Sequence, residues 1–247
     1  MSVKKLKKIY DGKPAVDGIS FEVKPGEVFG ILGPNGAGKT TTLEMMETLR
    51  QIDGGSITID GIDVAKNPDA IKRIIGVQPQ TAAFNDKQTL SEIITMFAAA
   101  YGERVNPQEL LDEVELGEKA SSYAEQLSGG QRQRLSIAAA LVHNPRVFFM
   151  DEPTTGLDPQ ARRNLWDLTR MVQSKGVTVI LTTHYMDEAE LLCDRVAIMD
   201  RGKIISLDTP KKLIRNLLDK GFKKEQRVEQ ANLEDVFIDL TGKALRE

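Results

Sequence analysis

One short stretch decides the fold: Gly33-Pro34-Asn35-Gly36-Ala37-Gly38-Lys39-Thr40. It fits the pattern G-x-x-x-x-G-K-[ST], which ends in a lysine and a hydroxyl side chain. The apolar run over residues 27–32 predicts a strand directly before it, and residues 39–50 predict a helix directly after it. A strand, a glycine-rich loop and a helix in this order are typical of a phosphate-binding P-loop. The alternative, an ordinary glycine turn, leaves the flanking strand and helix unexplained.

The chemistry of this loop is direct. Its glycines let successive backbone N–H groups point at a phosphate, and the N-terminus of the following helix adds positive potential. Lys39 can neutralise phosphate charge, and the hydroxyl of Thr40 can bind Mg²⁺. The predicted nucleotide-binding residues of the loop are Gly33, Pro34, Asn35, Gly36, Ala37, Gly38, Lys39, Thr40 and Thr41.

Strands alternate with helices on both sides of the loop, which predicts an α/β fold with a mainly parallel sheet. Two alternating segments, 19–23 and 56–60, predict half-buried strands. Three continuous apolar runs predict buried parallel strands, at residues 146–150, 177–182 and 195–199.

The strand signal disappears between residues 84 and 145, and signals for helix starts replace it. Thr89 with Glu92 matches a capping box, and Asn106 before Pro107 gives a second helix start. We therefore expect an inserted helical lobe here. After Pro210 the sequence predicts short helices, capped by Thr209 and Asn232, in a tail too small to hold its own core.

Composition narrows the class of protein. With 247 residues, 40% hydrophobic and 28% charged, the chain can bury a sizeable core. Its apolar stretches, such as residues 177–181, are far shorter than the roughly 20 residues of a membrane span, so we expect neither a span nor a signal peptide. The single cysteine, Cys193, fits a reducing cytoplasm.

A net charge of −3 argues against nucleic acid as a partner. Two clusters of basic residues are interpreted as solvated faces: Lys4, Lys5, Lys7 and Lys8 at the start, and Lys220, Lys223, Lys224 and Arg227 near the end. Alternatively, the late cluster lies near anionic lipid headgroups.

Two acids follow the predicted strand that ends at Met150. Asp151, at the end of the strand, suits the coordination shell of magnesium, which keeps several waters and takes few protein carboxylates. Glu152 is then free to polarise the attacking water as general base. A pair of solvated acids at a strand end is the alternative, and the P-loop elsewhere in the chain favours the catalytic interpretation.

The segment Leu127, Ser128, Gly129, Gly130 and Gln131 has two compatible interpretations. Ser128 with Gln131 forms a capping box that starts a helix running to about Leu141. The two glycines also leave N–H groups available for a second anion. One P-loop domain needs only one phosphate cradle. A second cradle therefore indicates that the chain completes the nucleotide site of another copy.

With these motifs in this order, the sequence resembles the ATP-binding subunits of ABC transporters over nearly its whole length. The resemblance implies a P-loop NTPase fold whose core has a mainly parallel sheet, an antiparallel β-subdomain and an inserted helical subdomain. It implies one domain over residues 1–247, with the core at about 1–83 and 146–210, the helical subdomain at about 84–145 and a short tail at about 211–247. It also implies a head-to-tail dimer, in the simplest case a homodimer, that sandwiches two ATP molecules with Mg²⁺ and hydrolyses them.

The same resemblance assigns roles to four single residues. Gln80 matches the glutamine that touches magnesium and the attacking water, with Gln78 as a second candidate. His184 matches the switch histidine that contacts the γ-phosphate. Asp158 matches the D-loop between subunits and also fits a helix cap before Pro159. Tyr10 matches the aromatic that stacks on adenine, with a core or surface tyrosine as the alternative. The implied metal ligands are Thr40, Gln80 and Asp151.

Two further segments refine the subfamily. Residues 182–190 and 233–242 resemble the ATPases of bacterial multidrug or polysaccharide exporters, whose permease is a separate chain. This implies a cytoplasmic protein, peripheral on the inner face of the cell membrane, that reaches the membrane only through its permease. A non-transport ABC ATPase and a nucleotide-dependent regulator are the alternatives, and the candidate base Glu152 argues against the second.

The resemblance also implies that the permease docks beside Gln80, over residues 81–97. Four apolar side chains there could anchor it: Phe84, Leu90, Ile94 and Phe97. The helical spacing of the last three fits a core face equally well. Phe84 lies before the predicted helix and is therefore the cleanest probe of the docking surface.

Overall fold

A computed structural model describes residues 1–80 and 83–222. Its main sheet has six strands: β3 (Val28–Leu32), β6 (Ile75–Gln78), β7 (Val147–Asp151), β8 (Thr178–Thr183), β9 (Arg195–Asp200) and β10 (Lys203–Asp208). They lie in the order β10-β9-β3-β8-β7-β6, and only β10 pairs antiparallel to its neighbour. The predicted α/β fold with a mainly parallel sheet is thus confirmed.

A second sheet is antiparallel and has four strands: β1 (Ser2–Tyr10), β2 (Lys13–Glu22), β4 (Gly54–Ile59) and β5 (Ile62–Asp63). The sequence did not predict β1, whose lysines suggested a solvated segment. The strand buries Val3 and Leu6, three residues apart, because a bulge shifts its register between them. Lys5, inside the bulge, has φ 48°. A bulge of this kind breaks the two-residue period by which strands are predicted.

Eight helices lie in the described part of the chain: α1 (Lys39–Met46), α2 (Pro68–Lys72), α3 (Leu90–Tyr101), α4 (Pro107–Glu113), α5 (Gly129–Leu141), α6 (Pro159–Ser174), α7 (Met186–Leu192) and α8 (Pro210–Asp219). The helix predicted over residues 39–50 ends early, at Met46. Its chain leaves the helix at Thr48, where φ is 66°. Single 3₁₀ turns occupy Gly117–Lys119 and Ala124–Gln126.

The helices between β6 and β7 start at the predicted caps. The Thr89 hydroxyl accepts from the N–H of Glu92, whose carboxylate accepts from the N–H of Thr89. The side chain of Asn106 accepts from the N–H of Gln108. Leu90 and Ile94 of α3 are fully buried, so both belong to the core rather than to an exposed docking groove. The bounds of the helical subdomain stay a prediction.

The main sheet is covered on both faces. Phe148 and Met150 of β7 pack into one apolar cluster, whereas Val147 and Phe149 pack into another. Alternation of this kind places one side of each strand in each cluster. Cys193 is buried in the first cluster, where a Cβ added at Gly30 would collide with its Sγ atom. Burial also raises the pKa of the Cys193 thiol.

Two compact units divide between Leu213 and Ile214. Of the predicted tail, the structure describes α8 and the residues up to Phe222, and α8 begins after Thr209 as its cap predicts. Asn232 and residues 233–242 lie outside the described residues. No helix within residues 1–80 and 83–222 combines the length and apolar content that crossing a membrane requires.

Candidate functional site

The P-loop leaves the carboxyl end of β3 and turns directly into α1. Gly36 and Gly38 have φ values of 79° and 99°, a conformation that glycine adopts without strain. Gly38 is the N-cap of α1 and supplies no side-chain hydrogen bond. The first N–H groups of α1 therefore remain available for an anion.

Lys39 lies almost buried inside the loop, with 4% of its surface exposed. Its ammonium group donates to the carbonyl oxygen of Gly33 at 2.9 Å and of Pro34 at 3.3 Å. The same Nζ atom is 3.1 Å from Oε1 of Glu152. Lys39 is therefore hydrogen-bonded to the P-loop and paired with the candidate base Glu152.

Glu152 sits between two cationic or donor groups. Besides Lys39, its Oε2 atom lies 3.2 Å from Nδ1 of His184. Its backbone has φ 44°, an uncommon conformation for a residue other than glycine. Its N–H donates to the side chain of Thr182, a residue of the neighbouring strand β8. The strained backbone thus aims the carboxylate between the P-loop and the segment that follows β8.

Asp151 faces a different set of groups. Its Oδ1 atom accepts from the hydroxyl of Thr40 at 3.2 Å and from that of Thr182. Burial raises the pKa of Asp151, and the two hydroxyl hydrogen bonds oppose this change. The hydroxyl of Thr40 and the carboxylate of Asp151 lie next to each other, and both are hard oxygen ligands. This donor set fits Mg²⁺, which takes few protein ligands and keeps several waters.

A cavity of 470 Å³ lies beside these groups, although Asp151 and His184 are not among the residues that line it. Ten residues line it: Tyr10, Ala15, Asn35, Gly36, Gly38, Lys39, Thr40, Thr41, Gln80 and Glu152. Tyr10 and Gln80, far from the P-loop in sequence, are thus brought to it. Lys8 and Arg50 place their charges 5.5 and 5.6 Å from the centroid of the Tyr10 ring. Gln78 is fully buried instead, and its amide donates to Gln133 of α5 at 2.7 Å.

The segment over residues 127–131 does not line this cavity in the part of the chain that is described. Ser128 caps α5: its hydroxyl accepts from the N–H of Gln131, and its own N–H donates to that side chain. Asp158 caps α6 through the N–H of Ala161, at 2.7 Å. Gly130 lies so close to Ala161 that a Cβ there would be 3.0 Å away. The starts of α5 and α6 therefore adjoin each other, away from the P-loop.

A second cavity, of 460 Å³, lies where β7 and β8 begin, at the opposite end of these strands from the P-loop. Arg146 pairs there with Asp60, and Lys175 with Glu113 at 2.7 Å. Ligands of parallel sheets bind at the carboxyl ends of the strands. The P-loop cavity is therefore the candidate site.

Comparison with known proteins agrees with this geometry. A family described as "ABC transporter" matches residues 16–155, more than half of the chain. The chain belongs to the ABC transporter family. This ATP-binding cassette carries the matched P-loop and the Asp151–Glu152 pair within that range, so the predicted family and P-loop NTPase fold are confirmed.

Several curated relatives of the cassette are ATP-binding proteins. The daunorubicin/doxorubicin resistance ATP-binding protein DrrA of Streptomyces peucetius is 44% identical over 209 residues, which cover 83% of this chain and 63% of DrrA. The Nod factor export ATP-binding protein I of Burkholderia thailandensis is also 44% identical, over 85% of this chain and 70% of that protein. The chain thus spans less than two thirds of DrrA.

Solved structures resemble the cassette along most of its length. One described as the ATP-binding subunit of an ABC transporter is 29% identical, with a TM-score of 0.78 over 97% of this chain and 98% of that one. Another is the dimeric post-hydrolysis state of the ATP-binding cassette MJ0796 bound to ADP and Pi. It is 26% identical, with a TM-score of 0.74 over 85% of this chain and 98% of that one.

Sequence reasoning missed two polar residues of the cassette's site. Thr182 touches both acids, because β7 and β8 pair in parallel with Asp151 opposite Thr182. The signal was present: a hydroxyl residue near the carboxyl end of a buried strand, just before His184. Glu47, the C-cap of α1, is buried, and burial together with Asp151 and Glu44 raises its pKa to about 8. Nothing in the local sequence indicated that this acid would be buried.

Proposed function

We propose that this cassette hydrolyses ATP in a head-to-tail dimer and powers a separate membrane permease, most simply an exporter of drugs, lipids or polysaccharide. The observation that carries the proposal is the position of Glu152, held between Lys39 and His184 in the P-loop cavity. A carboxylate so placed can accept a proton from water beside the phosphate chain. An ATP-binding protein without turnover would not need it.

Nucleotide binding begins at the open N-terminus of α1. Its free N–H groups and Lys39 take the β- and γ-phosphates, which draws the ammonium group away from Glu152. Tyr10, already flanked by Lys8 and Arg50, offers its ring face to adenine. Glu152, released from Lys39, is then free to accept the proton of the attacking water.

Two further residues act at the γ-phosphate. His184 donates a hydrogen bond to it, and Gln80 at the rim of the cavity orients the water. Thr40 and Asp151 would hold Mg²⁺, with Gln80 as a third candidate ligand. When bound, that ion would offset the negative charge of the phosphates.

The signature residues Leu127, Ser128, Gly129, Gly130 and Gln131 act on the nucleotide of the other subunit. They lie outside the chain's own cavity, yet they include a helix N-terminus with two glycines, which is suited to phosphate. The adjoining D-loop residue Asp158 would pass between the subunits. Each of the two sites would therefore combine the P-loop of one copy with the signature of the other.

Mixing two impaired variants tests this arrangement. Lys39→Ala removes the P-loop lysine, and Ser128→Ala alters the signature. In a random mixture about half of the dimers are mixed, and each mixed dimer has one site with both parts intact. We expect the mixture to regain about a quarter of wild-type ATPase activity. Activity no higher than the mean of the two variants would contradict assembly in trans.

The link to export rests on the relatives, which include a drug-resistance protein and a Nod factor export protein. Attachment to a permease would place the chain in the cytoplasm, at the inner face of the cell membrane. A non-transport ABC ATPase is the alternative. Co-expression with the permease, followed by transport-coupled ATPase measurement in vesicles, decides between the two.

Docking would use the groove beside Gln80, over residues 81–97. Phe84 is half-buried and meets the ring of Phe97 edge-on, with centroids 6.2 Å apart. Further along α3, Tyr101 stacks on His143 in a cavity shared with Lys72 of α2. Helix α2 precedes β6, whereas α3 follows Gln80. The surface formed by α2 and α3 therefore includes segments on both sides of Gln80.

Phe84→Ala tests the docking surface. We expect its basal ATPase activity to stay within about twofold, while permease-stimulated activity falls through loss of one anchor worth about 2 kcal/mol. Ile205→Ala is the matched control, because Ile205 is exposed on β10 at the opposite edge of the main sheet. If the Phe84 variant binds the permease and is stimulated by it normally, the docking surface lies elsewhere. If instead the isolated variant unfolds at a lower temperature than wild type, Phe84 is a core residue.

A further inference from the structure

Helix α6 starts at the D-loop and turns one face towards the segment after β8. Asp158, Arg162 and Trp166 follow each other at intervals of four residues, so they share one side of the helix. Trp166 is the only tryptophan of the chain. The segment that this face meets begins with the candidate switch residue His184, and helix α7 follows.

Arg162 contacts this segment at two points. Its guanidinium lies 4.4 Å from the centroid of the Tyr185 ring, and it pairs with Asp187 at 3.7 Å. The Tyr185 ring in turn packs against the His184 ring, with centroids 4.1 Å apart. The side chain that orients Tyr185 thus acts indirectly on the histidine.

Trp166, which is partly buried, makes the third contact. Its indole N–H donates to Oε1 of Glu188, one turn into α7, at 3.2 Å. Glu188 has no exposed surface, although it belongs to a helix start that the sequence alone would present as solvated. Burial raises the pKa of Glu188, and the nearby polar groups of Thr183, Thr154 and Trp166 oppose this change.

Glu188 is also close to the residues that flank His184 in the chain. The hydroxyl of Thr183, which lies near Glu188, accepts from the N–H of Tyr185 at 3.0 Å. Thr154, on the far side, lies two residues after the candidate base Glu152. One buried carboxyl group therefore touches the segments that follow β7 and β8 as well as helix α6.

Packing alone does not explain this residue. An apolar side chain of similar volume fills such a position at no loss, and often with a gain, of stability. Among the described residues, Oε2 of Glu188 and the Thr154 hydroxyl are buried without a partner within hydrogen-bond distance. A polar group retained under these conditions is explained by the geometry that it imposes on its neighbours.

We infer that Glu188 is a positioning residue, which fixes α7 to the D-loop helix through Trp166 and so holds His184 beside Glu152. The D-loop helix and the switch segment then move as one body. A displacement of Asp158 by the second subunit would reach the histidine through Arg162 and Trp166. The inference rests on the proposed role of His184 as the group that contacts the γ-phosphate.

The test compares Glu188→Leu with Glu188→Gln. Glutamine keeps an oxygen that can accept from the Trp166 N–H, whereas leucine keeps only the volume. We expect Glu188→Leu to lower kcat about tenfold with little change in ATP affinity, and to reduce the preference for ATP over ADP about fivefold. Glu188→Gln should keep at least about a third of wild-type kcat. Wild-type kcat and preference in folded Glu188→Leu protein would overturn the inference.

Trp166→Phe provides an independent arm if the leucine variant does not fold. It removes the donor and keeps most of the ring, and we expect kcat to fall about threefold with the same loss of preference for ATP. Because Trp166 is the only tryptophan, its fluorescence reports the contact directly. ATP should change the emission of the wild type and change that of Glu188→Leu much less. An unchanged preference in Trp166→Phe would overturn the inference.

Two controls separate the possible causes. Thr169→Val removes a buried hydroxyl from the same helix, where it donates to the Leu165 carbonyl, and it should leave kcat and nucleotide preference unchanged. His184→Ala tests the underlying role by itself. If His184→Ala keeps the preference for ATP, the proposed role of the histidine fails. If it loses the preference and both Glu188→Leu and Trp166→Phe keep it, only the inference about Glu188 fails.

Discussion

Two helix N-termini of this cassette contain glycine and suit phosphate, yet they differ in how their N–H groups are satisfied. Helix α1 starts after Gly38, which has a left-handed backbone and provides no side-chain cap. Helix α5 starts after Ser128, whose hydroxyl and N–H both bond to Gln131. The N-terminus of α1 is therefore open, without a side-chain cap, whereas the N-terminus of α5 is closed by its own capping box.

The difference matches the source of each ligand. The open terminus belongs to the chain's own cavity, and internal hydrogen bonds of Lys39 to the loop hold it in shape. The closed terminus would meet a phosphate only when a second subunit arrives. A cap worth about 1 kcal/mol keeps α5 folded until then and is weak enough for a phosphate to replace.

Removing the lysine of the open terminus should have the largest effect. Without its charge, the phosphates lose their main electrostatic partner, so we expect Lys39→Ala to lower ATPase activity by about 10²–10³ and to weaken ATP binding. A phosphate-release assay and calorimetry measure the two effects. Lys66→Ala, a surface lysine paired with Asp63, is the control. Unchanged turnover in Lys39→Ala would remove the P-loop assignment.

Changing the base should separate binding from turnover. Glu152→Gln keeps the shape and loses basicity, so turnover should fall about 10²-fold. It also frees Lys39 from its ion pair, so ATP affinity should stay or rise. Bound ATP that bridges two subunits favours the dimer by mass action. Light scattering in saturating ATP should therefore detect a persistent dimer, and a monomer would contradict the sandwich arrangement.

The closed terminus should respond more weakly. Ser128→Ala removes the cap, so the free energy of unfolding should fall by about 1 kcal/mol. Turnover should fall about tenfold, whereas ATP binding to the P-loop changes little. Ser128→Asn keeps a good cap and isolates the role of the hydroxyl. Equal turnover in the alanine variant and the wild type would leave Ser128 as a cap alone.

The last effect is expected on stability and not on turnover, and it concerns the C-terminal end of α1, where Glu47 is buried with a pKa near 8 instead of 4.5. Between these pH values the folded protein binds more protons than the unfolded one, so its stability falls as pH rises. The slope is at most about 1.4 kcal/mol per pH unit. Glu47→Gln should remove it and make the protein more stable than wild type at pH 8. Urea denaturation at pH 5 and pH 8 measures this, with surface Glu22→Gln as control. Parallel pH profiles would contradict the prediction.

Features set by neighbours in sequence were predictable. The capping boxes at Thr89 and Ser128, and the cap at Asp158, need only residues three or four positions apart. The P-loop is likewise continuous, and a strand before it and a helix after it identify its context. The sequence therefore predicted the fold class and most of the candidate site.

Features set by register and packing were not predictable. Thr182 reaches Asp151 only because β8 pairs with β7 in one particular register. Strand β1 escaped prediction because its bulge breaks the alternation of buried residues. Glu188 belongs to an acidic helix start and would be expected to face water, yet it is fully buried and accepts a hydrogen bond from Trp166 of α6. Such properties depend on contacts between segments far apart in the chain.

Because Cys193 is buried beneath Gly30, the native protein should react very slowly with reagents that modify thiols. Alkylating reagents need a thiolate that they can reach, and the raised pKa and enclosed position of this sulfur deny both. Its modification rate therefore measures how often the main sheet opens. A cysteine introduced at the surface would carry a spectroscopic label or a cross-linker without competition from the native thiol. Distances between subunits could then be followed through a turnover cycle in otherwise unaltered protein.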